Sequence, residues 1–311
     1  MGIVYKGKLL SLKIAKKQMF SHKFNNIEFI KEIQITNRYR NIKTPCVLGI
    51  FEEKTHIKPF FENSIILERI EGSSLKKHIS KLNKNLISLP SNELLYLLLM
   101  IDLASGMEFL HNNLLIHRDI KPDNIIVSNN YDLKIIDFGI SKKMSGSNES
   151  TQTNDKGTLL YEPPEIFQVG EEEDLTKTDL NDNKKKHISR AFDIWSFGLV
   201  LCEIFGSQPP WGDPNIKGNS IMMNLISQKI YPIPTHLSKD IHKLIEKCTR
   251  VDPLKRIKIK DLKERLIVIF IDRLIKYSKV IDLQNDKKGN IDNNKETDDG
   301  KLFQGKHGKL T

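Results

Sequence analysis

The residues best equipped for chemistry lie between His117 and Gly139. They form His117-Arg118-Asp119-Ile120-Lys121-Pro122-Asp123-Asn124 and, after the apolar runs Ile125 to Val127 and Leu133 to Ile136, Asp137-Phe138-Gly139. An aspartate can accept a proton. Aspartate and asparagine oxygens are hard ligands suited to Mg²⁺, and a lysine is a compact point charge that can meet a phosphate. Asp119 and Asp137 stand 18 residues apart, room for a hairpin that returns both carboxylates to one place. A lone Asp-Phe-Gly arises by chance. Two motifs in order, each beside an apolar strand-like run, carry weight.

Together these residues resemble the catalytic motifs of the eukaryotic protein kinase family. The resemblance implies that Asp119 orients a substrate hydroxyl and takes its proton, that Lys121 meets the γ-phosphate of ATP, and that Asn124 and Asp137 hold Mg²⁺. Downstream, Gly157-Thr158-Leu159-Leu160-Tyr161-Glu162-Pro163-Pro164-Glu165 resembles the end of a kinase activation segment, with Pro163 where alanine is usual. Asp193-Ile194-Trp195-Ser196-Phe197-Gly198 resembles the start of the buried central helix, Asp193 holding the catalytic-loop backbone. Arg256 is the arginine expected to pair with Glu165.

Upstream, Ile14-Ala15-Lys16-Lys17 resembles the strand whose lysine holds the α- and β-phosphates. Alternation puts Ala15 and Lys17 on one face, which favours Lys17, with Lys16 the runner-up. Glu32 sits where the family's helix glutamate would pair that lysine, although Lys31 and Arg38 offer it other partners. Ser64 to Ile70 resembles the strand leading to the hinge: the Glu68 carbonyl and the Ile70 amide would bond adenine, and Leu67 would guard the rear of the pocket. Ala15 and Ile126 complete the implied nucleotide-binding set with Gly2 and Val4. In Met1-Gly2-Ile3-Val4-Tyr5-Lys6-Gly7 only the third glycine of a GxGxxG loop (Gly2) and its apolar follower (Val4) are preserved. The first two glycines and most of the first strand would precede Met1, so the expectation is a fragment of a longer protein or a short, impaired kinase.

These motifs need a frame. Ile3 to Lys8, Leu12 to Lys17, Val47 to Glu52 and Ser64 to Ile70 read as strands around a helix from Phe29 to Tyr39. Glu71 to Ser74 reads as a hinge. Helical patterns then cover Glu93 to Asn112, Ala191 to Phe205, Ile221 to Ser227, Lys239 to Cys248 and Ile259 to Tyr277. The expected fold is α+β: a two-lobed kinase domain over residues 1–276, with a small β-rich N-lobe (1–70) and a larger α-helical C-lobe (71–276). A flexible insertion at about 170–187 and a polar, disordered tail at 277–311 complete the plan.

Composition narrows the class. The 311 residues carry 49 lysines and arginines against 39 acidic residues, a formal net charge of +10. The lysines are scattered, with no arginine-rich stripe or interleaved aromatics, so a solvated surface is expected rather than nucleic-acid binding. Leu94 to Leu110 is interrupted by Asp102, Ser105 and Glu108, as in a buried helix rather than a membrane span. Three dispersed cysteines suggest reduced thiols in the cytoplasm or nucleus. Lys121 and Thr158 favour serine/threonine specificity, and the Asp193 to Phe205 segment looks closest to the tyrosine-kinase-like group. Protein substrates and an upstream activating kinase are the expected partners, with Ser145, Ser147, Ser150, Thr151 and Thr153 as acceptors, and a monomer the expected state. The alternative class is a pseudokinase scaffold.

Overall fold

The computed structural model describes residues 2–19, 26–41, 43–54, 61–84, 90–143, 159–166, 182–206 and 233–299. Strands β1 (Gly2–Leu9) and β2 (Leu12–Met19) form a hairpin in which Val4 pairs with Lys17 and Lys6 with Ala15. Its turn places Leu10 in the left-handed region at φ 55°. Helix α1 (Asn26–Arg38) follows, then β3 (Val47–Lys54) and β4 (Phe61–Glu68). The sheet runs β1-β2-β4-β3, with neighbours antiparallel. Among the described residues Ile65 is its most buried apolar side chain, with Ile33, Val47 and Leu67 packed around it.

The second part opens with β5 (Gly72–Ser74), so the segment expected to be only a hinge is in fact a short strand. It pairs with β7 (Ile125–Ser128), and β7 with β8 (Leu133–Ile135). Close pairing explains Gly72: a Cβ there would lie 2.0 Å from the Val127 carbonyl oxygen. Helices α2 (Leu75–Lys84) and α3 (Pro90–Asn112) precede the small pair β6 (Leu115–Ile116) and β9 (Lys142–Lys143). Then come α4 (Asp182–Gly206), α5 (Lys239–Cys248) and α6 (Ile259–Asp299).

Helices α3, α4 and α6 supply much of the core, joined by α2, α5 and strands β7 and β8. Helix α3 is long and apolar enough to cross a membrane, yet 56% of that window is buried inside the protein, by Leu97, Met100, Leu103 and Met107 among others. Helix α4 buries Trp195, Phe197, Leu199 and Val200 completely. Gly198 lets α5 close on it, because a Cβ there would meet the Cys248 Cβ at 2.6 Å. Helix α6 docks on α3 through Leu262, Leu266 and Ile269, with Arg273 bonded to Glu93 at 2.9 Å.

Two boundaries differ from the sequence expectation. Helix α4 starts at Asp182, inside the segment expected to be a flexible insertion, and α6 runs to Asp299 through much of the expected disordered tail. Both extensions lack proline and adjoin an already docked helix. Adding residues to a formed helix costs far less than nucleating one, so polarity alone does not stop it. The predicted helix Ile221 to Ser227, the candidate acceptors from Ser145 to Thr153, and residues 170–181 and 300–311 lie outside the described residues.

Candidate active site

Strand alternation builds the first half of the site. Val4, Ala15, Lys17, Ile65 and Leu67 share one face of the sheet, because cross-strand partners project to the same side. Lys16 faces the other way, in register with Ile66. From this face Lys17 Nζ reaches Glu32 Oε1 on α1 at 2.6 Å and Asp137 Oδ1 at 2.8 Å. Glu32 is almost fully buried, as is Lys17. Burial alone would lower the Lys17 pKa, but the carboxylates of Glu32 and Asp137 hold it above the usual lysine value. Burial would likewise raise Asp137, and Lys17 beside it draws it below the usual carboxylate value. The ammonium is therefore locked in its charged form between two anions. Glu32 spends one oxygen on Lys17, while its Oε2 is buried with no partner.

The second half hangs from one buried aspartate. Asp193, at the heart of α4 and wholly inaccessible, accepts the amides of His117 (2.9 Å) and Arg118 (2.8 Å), and His111 Nε2 lies 2.9 Å from its Oδ2. These bonds hold Arg118 at φ 69°, a left-handed conformation that a non-glycine residue keeps only when its surroundings fix it. His117 donates from Nε2 to the Ile136 carbonyl at 3.1 Å, and its Nδ1 accepts the Asp119 amide at 3.3 Å. Its ring also stands edge-on to Phe138, centroids 5.0 Å apart. One imidazole thus ties the loop bearing Asp119 to the turn bearing Asp137, itself left-handed at φ 66°.

On that frame Asp119 Oδ2 meets Lys121 Nζ at 2.9 Å and the Asn124 side-chain amide at 2.6 Å. Asn124 Nδ2 also bonds the Asp119 carbonyl at 2.9 Å, leaving its side-chain oxygen for another use. Asp119 Oδ1 is buried and unpaired. An orphaned carboxylate oxygen inside a polar site is the shape expected where a hydroxyl donor is to be received. Among the described residues no three histidine, cysteine or acidic side chains gather as a metal cage. The side-chain oxygens of Asn124 and Asp137 are hard donors of the kind Mg²⁺ takes, and that ion needs only one or two of them beside phosphate and water.

The remaining predicted residues take these places in the fold. Val4 is exposed, Ala15 and Ile126 are half-buried, and Gly2 opens β1. Glu68 ends β4 and Ile70 follows in the connection to β5. The Glu68 side chain bonds Lys134 and the Cys46 amide (3.0 Å), and its own amide donates to the Cys46 carbonyl at 2.8 Å. Glu165 and Arg256 form two parallel bonds of 2.7 Å. Sequence reasoning missed His111, whose only signal was a lone histidine at a helix end. It missed Lys134 equally, as its partner Glu68 is 66 residues away.

A family model described as a protein kinase domain matches residues 1–267. The chain is similar to mitogen-activated protein kinase kinase kinase 5 of Mus musculus, 32% identical over 286 residues that cover 89% of this chain. It is also similar to mitogen-activated protein kinase kinase kinase 15 of the same organism (33% identical over 84% of the chain). Each match spans only 18% of the relative's own length. The Aurora kinase of Yarrowia lipolytica is 27% identical over 80% of this chain and 58% of its own length. With the buried lysine between two carboxylates, the aspartate-pinned loop and a family match over nearly the whole of its described length, the chain belongs to the protein kinase family.

Proposed function

We propose that this chain transfers the γ-phosphate of ATP to serine or threonine hydroxyls of other proteins. The observation that carries the proposal is Asp119: one oxygen is fixed by Lys121 and Asn124, and the other is buried and unpaired. A hydroxyl placed at Oδ1 is held in one orientation and can release its proton to the carboxylate as its oxygen attacks phosphorus. Lys121 brings a cation to the same point. Lys17, fixed by Glu32, offers its ammonium to the inner phosphates, and the face carrying Val4, Ala15 and Leu67, together with Ile126 of β7, would offer apolar cover for a base. Asn124 and Asp137 would hold Mg²⁺, which when bound neutralises charge on the phosphate oxygens.

Serine/threonine preference rests on Lys121 and on the relatives, whose names describe kinases acting on other kinases. A protein substrate that is itself a kinase is the first class to try. The three cysteines are all unpaired, in keeping with a reducing compartment such as the cytosol. A scaffold role would be favoured by a substituted site residue, and Lys17, Glu32, Asp119, Lys121, Asn124 and Asp137 are all present.

The test compares ATP-dependent phosphorylation of a basic protein substrate by the parent and by Asp119→Asn. The variant should lose about 10²–10⁴-fold in kcat with the KM for ATP little changed, because the amide still bonds a hydroxyl but takes no proton. Equal rates would overturn the proposal. Magnesium is tested separately by thermal shift with a non-hydrolysable ATP analogue, where Asp137→Asn should abolish the Mg²⁺-dependent part of the stabilisation.

A further inference from the structure

Helix α6 has two apolar faces, and among the described residues only one is packed. Leu262, Leu266 and Ile269 are buried against α3, and Arg273 on the same side is bonded to Glu93 and Asp240. On the opposite side Ile267, Val268, Ile271, Leu274 and Ile275 are 36%, 66%, 48%, 48% and 49% exposed. At 100° per residue these five fall within about 60° of one line along the helix. Glu264 and Ser278 end the stripe. Together the five leave roughly 450 Å² of apolar surface open, within the range of patches on soluble monomers that commonly serve an interaction.

The stripe has a further property, which selects its occupant. It is symmetric about Ile271, with apolar residues at −4, −3, +3 and +4 and polar residues at −7 and +7. A surface that reads alike in both directions is complementary to an antiparallel copy of itself, the condition for an isologous two-fold contact. We propose that α6 pairs antiparallel with α6 of a second copy of this chain, with the two-fold axis at Ile271. This departs from the monomer expected from the family resemblance.

The register follows from helix geometry. Positions −3 and +4 lean to one side of the two-fold, and −4 and +3 to the other. Val268 therefore meets Ile275 of the second copy, and Ile267 meets Leu274. One turn further out, on the Val268 side, exposed Glu264 meets exposed Lys279, and symmetry repeats the ion pair at the far end. Lys263 falls opposite Ser278 rather than another cation. The patch is about half of what one partner contributes to a standard interface, so the contact belongs to the small, weak class.

Sedimentation velocity on the full chain, from about 1 to 200 µM, tests this. The parent should pass from monomer to dimer as concentration rises. Ile271→Glu should weaken association at least tenfold, with the unfolding midpoint of the monomer unchanged because the position is exposed. Glu264→Lys and Lys279→Glu should each weaken the dimer, and the double variant should recover parental association, since the swapped pair is again complementary. A parent that stays monomeric throughout overturns the proposal. So does a dimer that survives Ile271→Glu, and a double variant no tighter than either single one removes the antiparallel register.

Discussion

Arg256 offers the sharpest quantitative test of how the larger lobe is held together. Its side chain is fully buried and all five of its N–H groups are used. Nη1 and Nη2 each reach a Glu165 oxygen at 2.7 Å. The other three bonds go to the carbonyls of Ala191 (3.0 Å), Val251 (3.2 Å) and Arg250 (2.8 Å). The guanidinium also lies over the Trp195 ring, 5.0 Å from its centroid. Glu165→Ala removes the counter-charge and two acceptors but leaves the cation where water does not reach it. Removing one partner of such a buried pair costs about 3–5 kcal/mol. At roughly 2–4 °C per kcal/mol for a domain of this size, the melting temperature should fall by about 6–20 °C. Arg256→Met strands a glutamate that is 15% exposed and partly reachable by water, so its cost falls at the lower end. The double variant should cost less than the two single costs added together, by about 2 kcal/mol, because each change alone leaves the other's charge unpaired. Urea unfolding followed by tryptophan fluorescence is the assay, since Trp195 reports on the cation directly. A Glu165→Ala cost below about 1 kcal/mol, or strictly additive variants, would refute the view that this pair is desolvated and mutually dependent.

Other outcomes follow from the same geometry. Lys17→Met should lower kcat at least about a hundredfold by leaving Glu32 and Asp137 without their shared cation, whereas Lys16→Met, on the other face of β2, should retain activity; equal losses in a kinetic assay would reject the assignment of faces. Burial would raise the Asp193 pKa, but the His111 bond and nearby His117 outweigh it and hold it below the usual aspartate value. A depressed carboxylate gives stability that is complete above its unfolded value and lost as pH falls through its folded one. Stability should therefore decline below about pH 4, and Asp193→Asn should flatten that limb in acid-unfolding curves. Burial pushes the Cys202 thiol up to about 12 and raises Cys248 further still, while Cys46 is half-buried. A thiol-reactive chromophore should label one cysteine quickly and the other two only on unfolding; fast labelling of all three would contradict the packing of α4 on α5.

How much of this was readable in advance depends on whether the determining contact is local. Asp119, Lys121 and Asn124 lie within six residues, and the chemistry needs them at that spacing, so the stretch announces itself. Lys17 could be preferred over Lys16 because strand alternation is a local rule, and the sheet obeys it. Asp193 was legible only by likeness to a motif, and nothing local links it to His111, 82 residues away, or to the Arg118 amide, 75 away. The side-chain partner of Glu68 was invisible for the same reason: it arises where β4 and β8 happen to come together.

Helix ends fail differently. The polar composition after Tyr277 and before Ala191 offers the core little apolar surface, yet helix propagates from a docked segment into both stretches. Composition decides what a segment packs against, and only indirectly whether it is helical. The two faces of α6 show the same separation. Leu262, Leu266 and Ile269 are apolar because the lobe needs them. Ile267, Val268, Ile271, Leu274 and Ile275 lie beyond that need, and a surface helix left to itself would carry charge at those positions. Among the described residues nothing covers them, and their symmetry about Ile271 is what the proposed pairing with a second copy requires.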